Sequence, residues 1–165
     1  MKALCTSRYG RSGIRHPQSG QSLLELAFLV PLLLLLALGV IEVGRYAYIA
    51  ILIGNAAHAG AIYGSQSLPQ SNDSFIVTAA QNDFLNNGQD PKNLPTITYF
   101  TTCGCDSAGT VAVATACSPP SCASGHWVVL LSVTASGKFD SLFNYPGIPS
   151  SITVSRTSTM RVAQI

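Results

Sequence analysis

The chain has 165 residues, 10% of them charged and 47% hydrophobic, with a formal net charge of +2. That length holds at most one outer domain plus one anchor, and charge so far below the usual quarter leaves the surface to Ser, Thr, Asn and Gln. The sign of the charge is local: Lys2, Arg8, Arg11 and Arg15 precede Gly20, whereas beyond it five bases (Arg45, Lys92, Lys138, Arg156, Arg161) meet seven acids (Glu25, Glu42, Asp73, Asp83, Asp90, Asp106, Asp140). Five against seven leaves −2 with no basic run, so nucleic acid as a partner has no electrostatic footprint.

After the basic leader, residues 23–41 are almost all Leu, Ala, Val, Ile or Phe. About 20 such residues span the hydrocarbon core, and a secretory h-region is shorter, about 7–15. The segment is therefore expected to cross a membrane once, with the Lys/Arg-rich end cytoplasmic and everything after Ile41 outside. Pro31 removes one backbone donor and tends to kink the helix, which membrane helices tolerate. Glu25 lies within the opening turns of this run. An acidic side chain at the bilayer centre costs about 2.5–3.5 kcal/mol on insertion scales, so its default reading is functional. It is the fifth residue after Gly20, which gives the layout of a precursor cut between Gly20 and Gln21. The bland alternative is an ordinary, uncut signal anchor.

The helical pattern continues past the membrane. Glu42 and Arg45 are spaced to pair on one face, and Ile49, Leu52, Ile53, Ala56, Ala57 and Ala61 recur at helical spacing. Asn55 and His58 fall on the opposite face. One helix is expected over about 18–63, roughly 65–70 Å long. Its small residues (Gly54, Ala56, Ala57, Ala59, Gly60, Ala61) admit close approach by another helix or a sheet.

Residues 65–74, with Pro69, read as a loop. Residues 75–87 read as an amphipathic helix presenting Phe75, Ile76, Ala79, Ala80, Phe84 and Leu85 on one side. Asn72, Asp73 or Ser74 would cap its start and Gly88 its end. Strands are expected over 95–102, 126–135 and 151–163, rich in β-branched and aromatic residues. Residues 139–147 between the last two read as a crossing loop carrying aromatics to the sheet edge. The expected fold class is α+β: a long N-terminal membrane-spanning helix packed on a small antiparallel sheet, pilin-like. The chain divides into a basic cytoplasmic leader (1–20), the long helix (21–64), and an extracytoplasmic α+β domain (65–165).

Cys5 lies in the leader. Cys103, Cys105, Cys117 and Cys122 fall in a cysteine-bearing loop (103–122) between the first two strands. Four thiols in an oxidising compartment favour two disulfides. A Cys103–Cys105 bridge would close a very tight ring, so each of these is expected to pair with Cys117 or Cys122. A zinc site is the alternative, although C-x-C and C-x4-C are not zinc-ribbon spacings. His16, His58 and His126 are isolated in sequence. No nucleophile elbow, phosphate-binding glycine loop or paired-carboxylate motif is present. Neither an enzyme nor a cofactor or resident metal is expected.

The run Gly20-Gln21-Ser22-Leu23-Leu24-Glu25-Leu26-Ala27, then Pro31 and the leucines, then Gly39-Val40-Ile41-Glu42-Val43-Gly44-Arg45-Tyr46 and Asn55-Ala56-Ala57-His58-Ala59-Gly60-Ala61, resembles the TadE-like family. These are minor pilins or pseudopilins of tight-adherence pilus systems. The segment Thr157-Ser158-Thr159-Met160-Arg161 is similar to that family's closing strand. The resemblance implies cleavage after Gly20 by a prepilin peptidase. It implies that Glu25 neutralises the new α-amino group at Gln21 of a neighbouring subunit. It also implies other pilin and assembly subunits as partners, with membrane lipid around the helix, in an inner-membrane protein that serves a type IV pilus for surface adhesion. Leu26 stands where the family often has an aromatic residue. The competing reading is a single-pass, unprocessed, membrane-anchored binding module.

Overall fold

The computed structural model describes residues 19–113, 122–143, 147 and 149–163. Its element order is α1 (Ser19–Ser65), a 3-10 turn (Gln70–Asn72), α2 (Phe75–Asn86), a second 3-10 turn (Pro91–Asn93), β1 (Thr96–Ser107), β2 (Thr110–Val113), β3 (His126–Asp140) and β4 (Ser151–Arg161). Contacts divide the chain into two units, Met1–Val40 and Ile41–Ile165. α1 is continuous through both, Pro31 included.

In the first unit, every helical residue from Gly20 to Val40 is solvent-exposed except Leu38, which is half-buried. A helix that is apolar all round needs an apolar surrounding. Gly20–Ser65 is long and apolar enough to cross a membrane, and the leucine-rich stretch within it is 23–41.

The second unit is an antiparallel sheet in the order β2-β1-β3-β4, with α1 and α2 on one face. The outer half of α1 buries the residues its periodicity marked: Leu52, Ile53, Ala56, Ala57 and Ala61 are all at or below 3% exposure. Asn55 and His58 lie on the exposed side. From β3, the alternate residues Val129, Leu131, Val133, Ala135 and Phe139 point into the same core, as a strand's period of two requires. Gly60 makes the close approach possible. A Cβ there would sit 3.2 Å from Ala80 Cβ, Ile76 O and Val133 Cγ1. α2 contributes a narrow stripe, Ile76, Ala80 and Phe84. Phe75, expected on that face, is exposed instead. Ser74 is the N-cap residue of α2 but makes no side-chain bond there; Asp73 before it accepts the Phe75 N–H at 3.0 Å. Gly88 ends the turn with φ +76.

The sheet corrects the strand bounds. β1 runs to Ser107, so Cys103 and Cys105 are strand residues rather than parts of a loop. β2, unforeseen, pairs with the far end of β1 through Gly104–Ser107. β3 extends to Asp140, so Phe139 and Asp140 are strand residues and not part of the crossing loop. The strand patterns were hidden where Gly, Cys, Asp and Lys interrupt the β-branched runs. Backbone pairing to β4, from Leu130↔Arg161 to Asp140↔Ser151, carries β3 to its end. Hydroxyls pair across β3 and β4: the buried Ser132 with Thr159 at 2.9 Å, and the more open pairs Thr134–Thr157 at 2.8 Å and Ser136–Ser155 at 3.0 Å. This is how Ser and Thr replace charge across these strands.

Candidate functional site

The N-terminal end of α1 holds Gly20, Gln21 and Glu25. All three are exposed. Gln21 Nε2 donates to Glu25 Oε1 at 3.5 Å, one helical turn apart. Around them Leu23, Leu24, Leu26 and Phe28 are 53–76% exposed. The carboxylate thus sits within an apolar surface that only lipid or another chain can cover. Within the helix its hydrogen bond is a long one, to a neutral amide.

A second constellation lies just past the apolar run, within the second unit. Arg45 donates to Glu42 Oε2 at 3.0 Å. The other oxygen, Glu42 Oε1, accepts the backbone N–H of Leu142 at 2.8 Å. One carboxylate therefore binds its own helix and the chain leaving β3. The Arg45 guanidinium lies over the Phe139 ring, 5.4 Å from its centroid, a favourable cation–π position. Tyr46 meets the same ring edge-on at 5.6 Å, the geometry aromatic quadrupoles prefer. The Glu42/Arg45 pair was legible from its spacing. Leu142 and Phe139 were not, because they lie about a hundred residues away.

The far end of the sheet carries the cysteines. Cys105 is joined to Cys122 with Cα atoms 5.7 Å apart. Cys103, 1% exposed, is also disulfide-bonded. Cys117 lies outside the described residues. Because Cys105 and Cys122 are bonded to each other, a four-thiolate zinc site lacks its ligands. Beside this bridge the register places Asp106 opposite His126, and β4 brings Arg161 to both. Arg161 Nη2 donates to Asp106 Oδ2, and Arg161 Nη1 is 3.3 Å from His126 Nε2. Gly109 N–H donates to Asp106 Oδ1 at 3.0 Å. The Arg161 hydrogen bond holds the Asp106 carboxyl below the usual carboxylate range, against the opposing pull of burial. His126 stands isolated in residue order. Its neighbours are 20 and 35 residues away in sequence, and only strand register reveals them.

Family comparison bears on the helix rather than on the sheet. Residues 20–61 match the TadE-like protein family. The matched segment begins at Gly20 and includes Glu25, Glu42 and Arg45, so the exposed carboxylate and the helix side of the clasp fall inside it, while Phe139 and Leu142 do not. It ends within the packed half of α1 and leaves the cysteines and the sheet uncovered. No curated protein and no solved structure matches the chain.

Proposed function

We propose that this chain is a minor pilin or pseudopilin that takes part in assembling a tight-adherence pilus used for surface adhesion. It acts as a structural subunit rather than an enzyme. In this reading the basic leader is cytoplasmic, residues 23–41 cross the inner membrane, and the α+β domain stands outside. A prepilin peptidase cuts between Gly20 and Gln21, which frees an α-amino group one helical turn from Glu25. The observation that carries the reading is Glu25: an exposed carboxylate on an all-apolar helix, five residues past the glycine where the TadE-like match begins. In a low-dielectric bundle such a charge persists only when paired. The α-amino group of a neighbouring Gln21 is a cation at the right end of the helix.

The test is the intact mass and N-terminal sequence of the chain recovered from membranes, with and without the peptidase. A mature chain starting at Gln21 only when the peptidase is present supports the proposal. A chain starting at Met1 in both strains overturns it and leaves a permanently anchored protein. Glu25→Ala is expected to insert normally and to abolish pilus assembly. A normal pilus yield from that variant sinks the role given to the carboxylate.

A further inference from the structure

Cations are scarce beyond Gly20, and they stand far apart in sequence. The fold nonetheless brings three of the five together. Arg45, Lys92 and Lys138 line one cleft of about 410 Å³, with Asn93, Phe139 and Asp140. The second unit carries more acids than bases, so this grouping opposes its average composition.

The charges in the cleft are only partly spent. Lys138 Nζ pairs with Asp140 Oδ1 at 3.0 Å, but both side chains are about two-thirds exposed. Such a pair is worth under about 1 kcal/mol and rearranges easily. Arg45 is held by Glu42 from behind and by the Phe139 ring, and Glu42's second oxygen is fixed on Leu142. Lys92 has no salt-bridge partner among the described residues. Its backbone N–H takes Asp90 Oδ1, and Asp90 is not part of the cleft wall. The cleft wall carries three cations and one carboxylate, Asp140, while Glu42 and Asp90 lie outside it, so the wall is net positive and suits an anionic phosphodiester.

The position of Arg45 selects the source of that phosphate. It follows Ile41, the last residue of the apolar run, by one helical turn, about 6 Å along the axis. The polar headgroup layer beyond the hydrocarbon core is about 5–8 Å deep on each side. We infer that this cleft binds the phosphate of an anionic phospholipid headgroup. The inference rests on residues 23–41 spanning a membrane and not on pilus assembly. It stands whether or not Gly20 is cut.

The test uses the full chain in a neutral detergent. Native mass spectrometry compares retention of phosphatidylglycerol and phosphatidylcholine at equal concentration. The unaltered chain is expected to retain several-fold more of the anionic lipid. The double variant Lys92→Gln/Lys138→Gln is expected to retain the two equally. Both lysines are exposed and outside the core, so an unchanged melting temperature checks that the variant is folded. Equal retention by the unaltered chain overturns the proposal, as does an undiminished preference in the folded variant. Millimolar inorganic phosphate is the competing arm. If it leaves the preference intact, the lipid assignment is supported; if it abolishes the preference, the site belongs to soluble phosphate and the lipid assignment falls.

Discussion

The two halves of α1 share a backbone and differ in everything their side chains do. Between residues 23 and 40 the helix is leucine-rich and exposed except at the half-buried Leu38. Between residues 50 and 61 it is built largely from alanine and glycine, and one face is sealed against β3 and α2. Bulk suits lipid, which conforms to any surface. Small residues suit a sheet, because only they let two backbones draw together. Apolarity alone therefore does not distinguish a membrane helix from a packed one. The size of the apolar residues and their restriction to one face do.

The largest effect is expected where the packed half is tightest. Leu131 is fully buried in the β3 core, and a Cβ added at Gly64 would collide with it. Leu131→Ala is expected to cost about 2–5 kcal/mol, from lost transfer energy plus the cavity. Thermal unfolding of the full chain in detergent, followed by Trp127 fluorescence, measures it. A leucine from the other half, Leu34→Ala, removes the same atoms from an exposed position and is expected to leave the melting temperature of the domain unchanged. Equal losses from the two would erase the contrast.

Next comes the far end of the sheet, where a disulfide ties β1 to the segment before β3. The Cys105–Cys122 bridge closes a separation of 17 residues, for which loop entropy predicts about 3 kcal/mol. Cys105→Ser/Cys122→Ser is expected to lower the melting temperature accordingly, and reduction of the unaltered chain should do at least as much. No change on either treatment would show that β1 and β3 hold this end without the bridge.

Glycines give a smaller and more pointed version of the same comparison. Gly44 has nothing within 4 Å of where a Cβ would stand, whereas Gly64 faces Leu131 and Ile76. Gly64→Ala is expected to cost about 1–3 kcal/mol through overpacking. Gly44→Ala should be neutral or gain up to about 1 kcal/mol in helix propensity. Combining Gly64→Ala with Leu131→Ala should cost less than the two apart, since the cavity receives the new methyl. Strict additivity would mean that these residues do not share the space the geometry gives them.

What the sequence revealed follows the range of the interactions involved. The long helix, its buried face at Leu52, Ile53, Ala56, Ala57 and Ala61, and the spacing of Gly20 and Glu25 are all local or periodic, and all were legible. The α2 helix and its Gly88 stop were legible for the same reason. The end of β1, the short β2 and the full length of β3 were not, because Gly104, Asp106 and Lys138 are poor strand formers kept extended by pairing. The same pairing assembles the Asp106–Arg161–His126 group, while the cation cleft draws on α1, the second 3-10 turn and β3; neither leaves a trace in residue order. Phe75 misled because an apolar residue at a helix start can as well face outward, and here the stripe is only one residue wide.

The smallest expected effect is electrostatic, and its sign can be worked out. Arg161 lowers the Asp106 carboxyl in the folded chain relative to the unfolded one. A group shifted this way contributes stability that is fully present above the ordinary carboxylate range and is lost as pH falls through its lower folded value. The melting temperature of the unaltered chain should therefore decline on acidification more steeply than that of Asp106→Asn, which has no carboxyl to protonate. Arg161→Gln should also flatten the slope, because the hydrogen bond that lowers the carboxyl is gone. The groups facing Asp106 are Arg161 from β4, His126 from β3 and the Gly109 N–H of the β1–β2 turn. His126→Gln should thus keep most of the slope, since Arg161 is the largest cause of the shift. Parallel pH profiles for the unaltered chain and Asp106→Asn would mean that the pair forms without favouring the charged carboxylate.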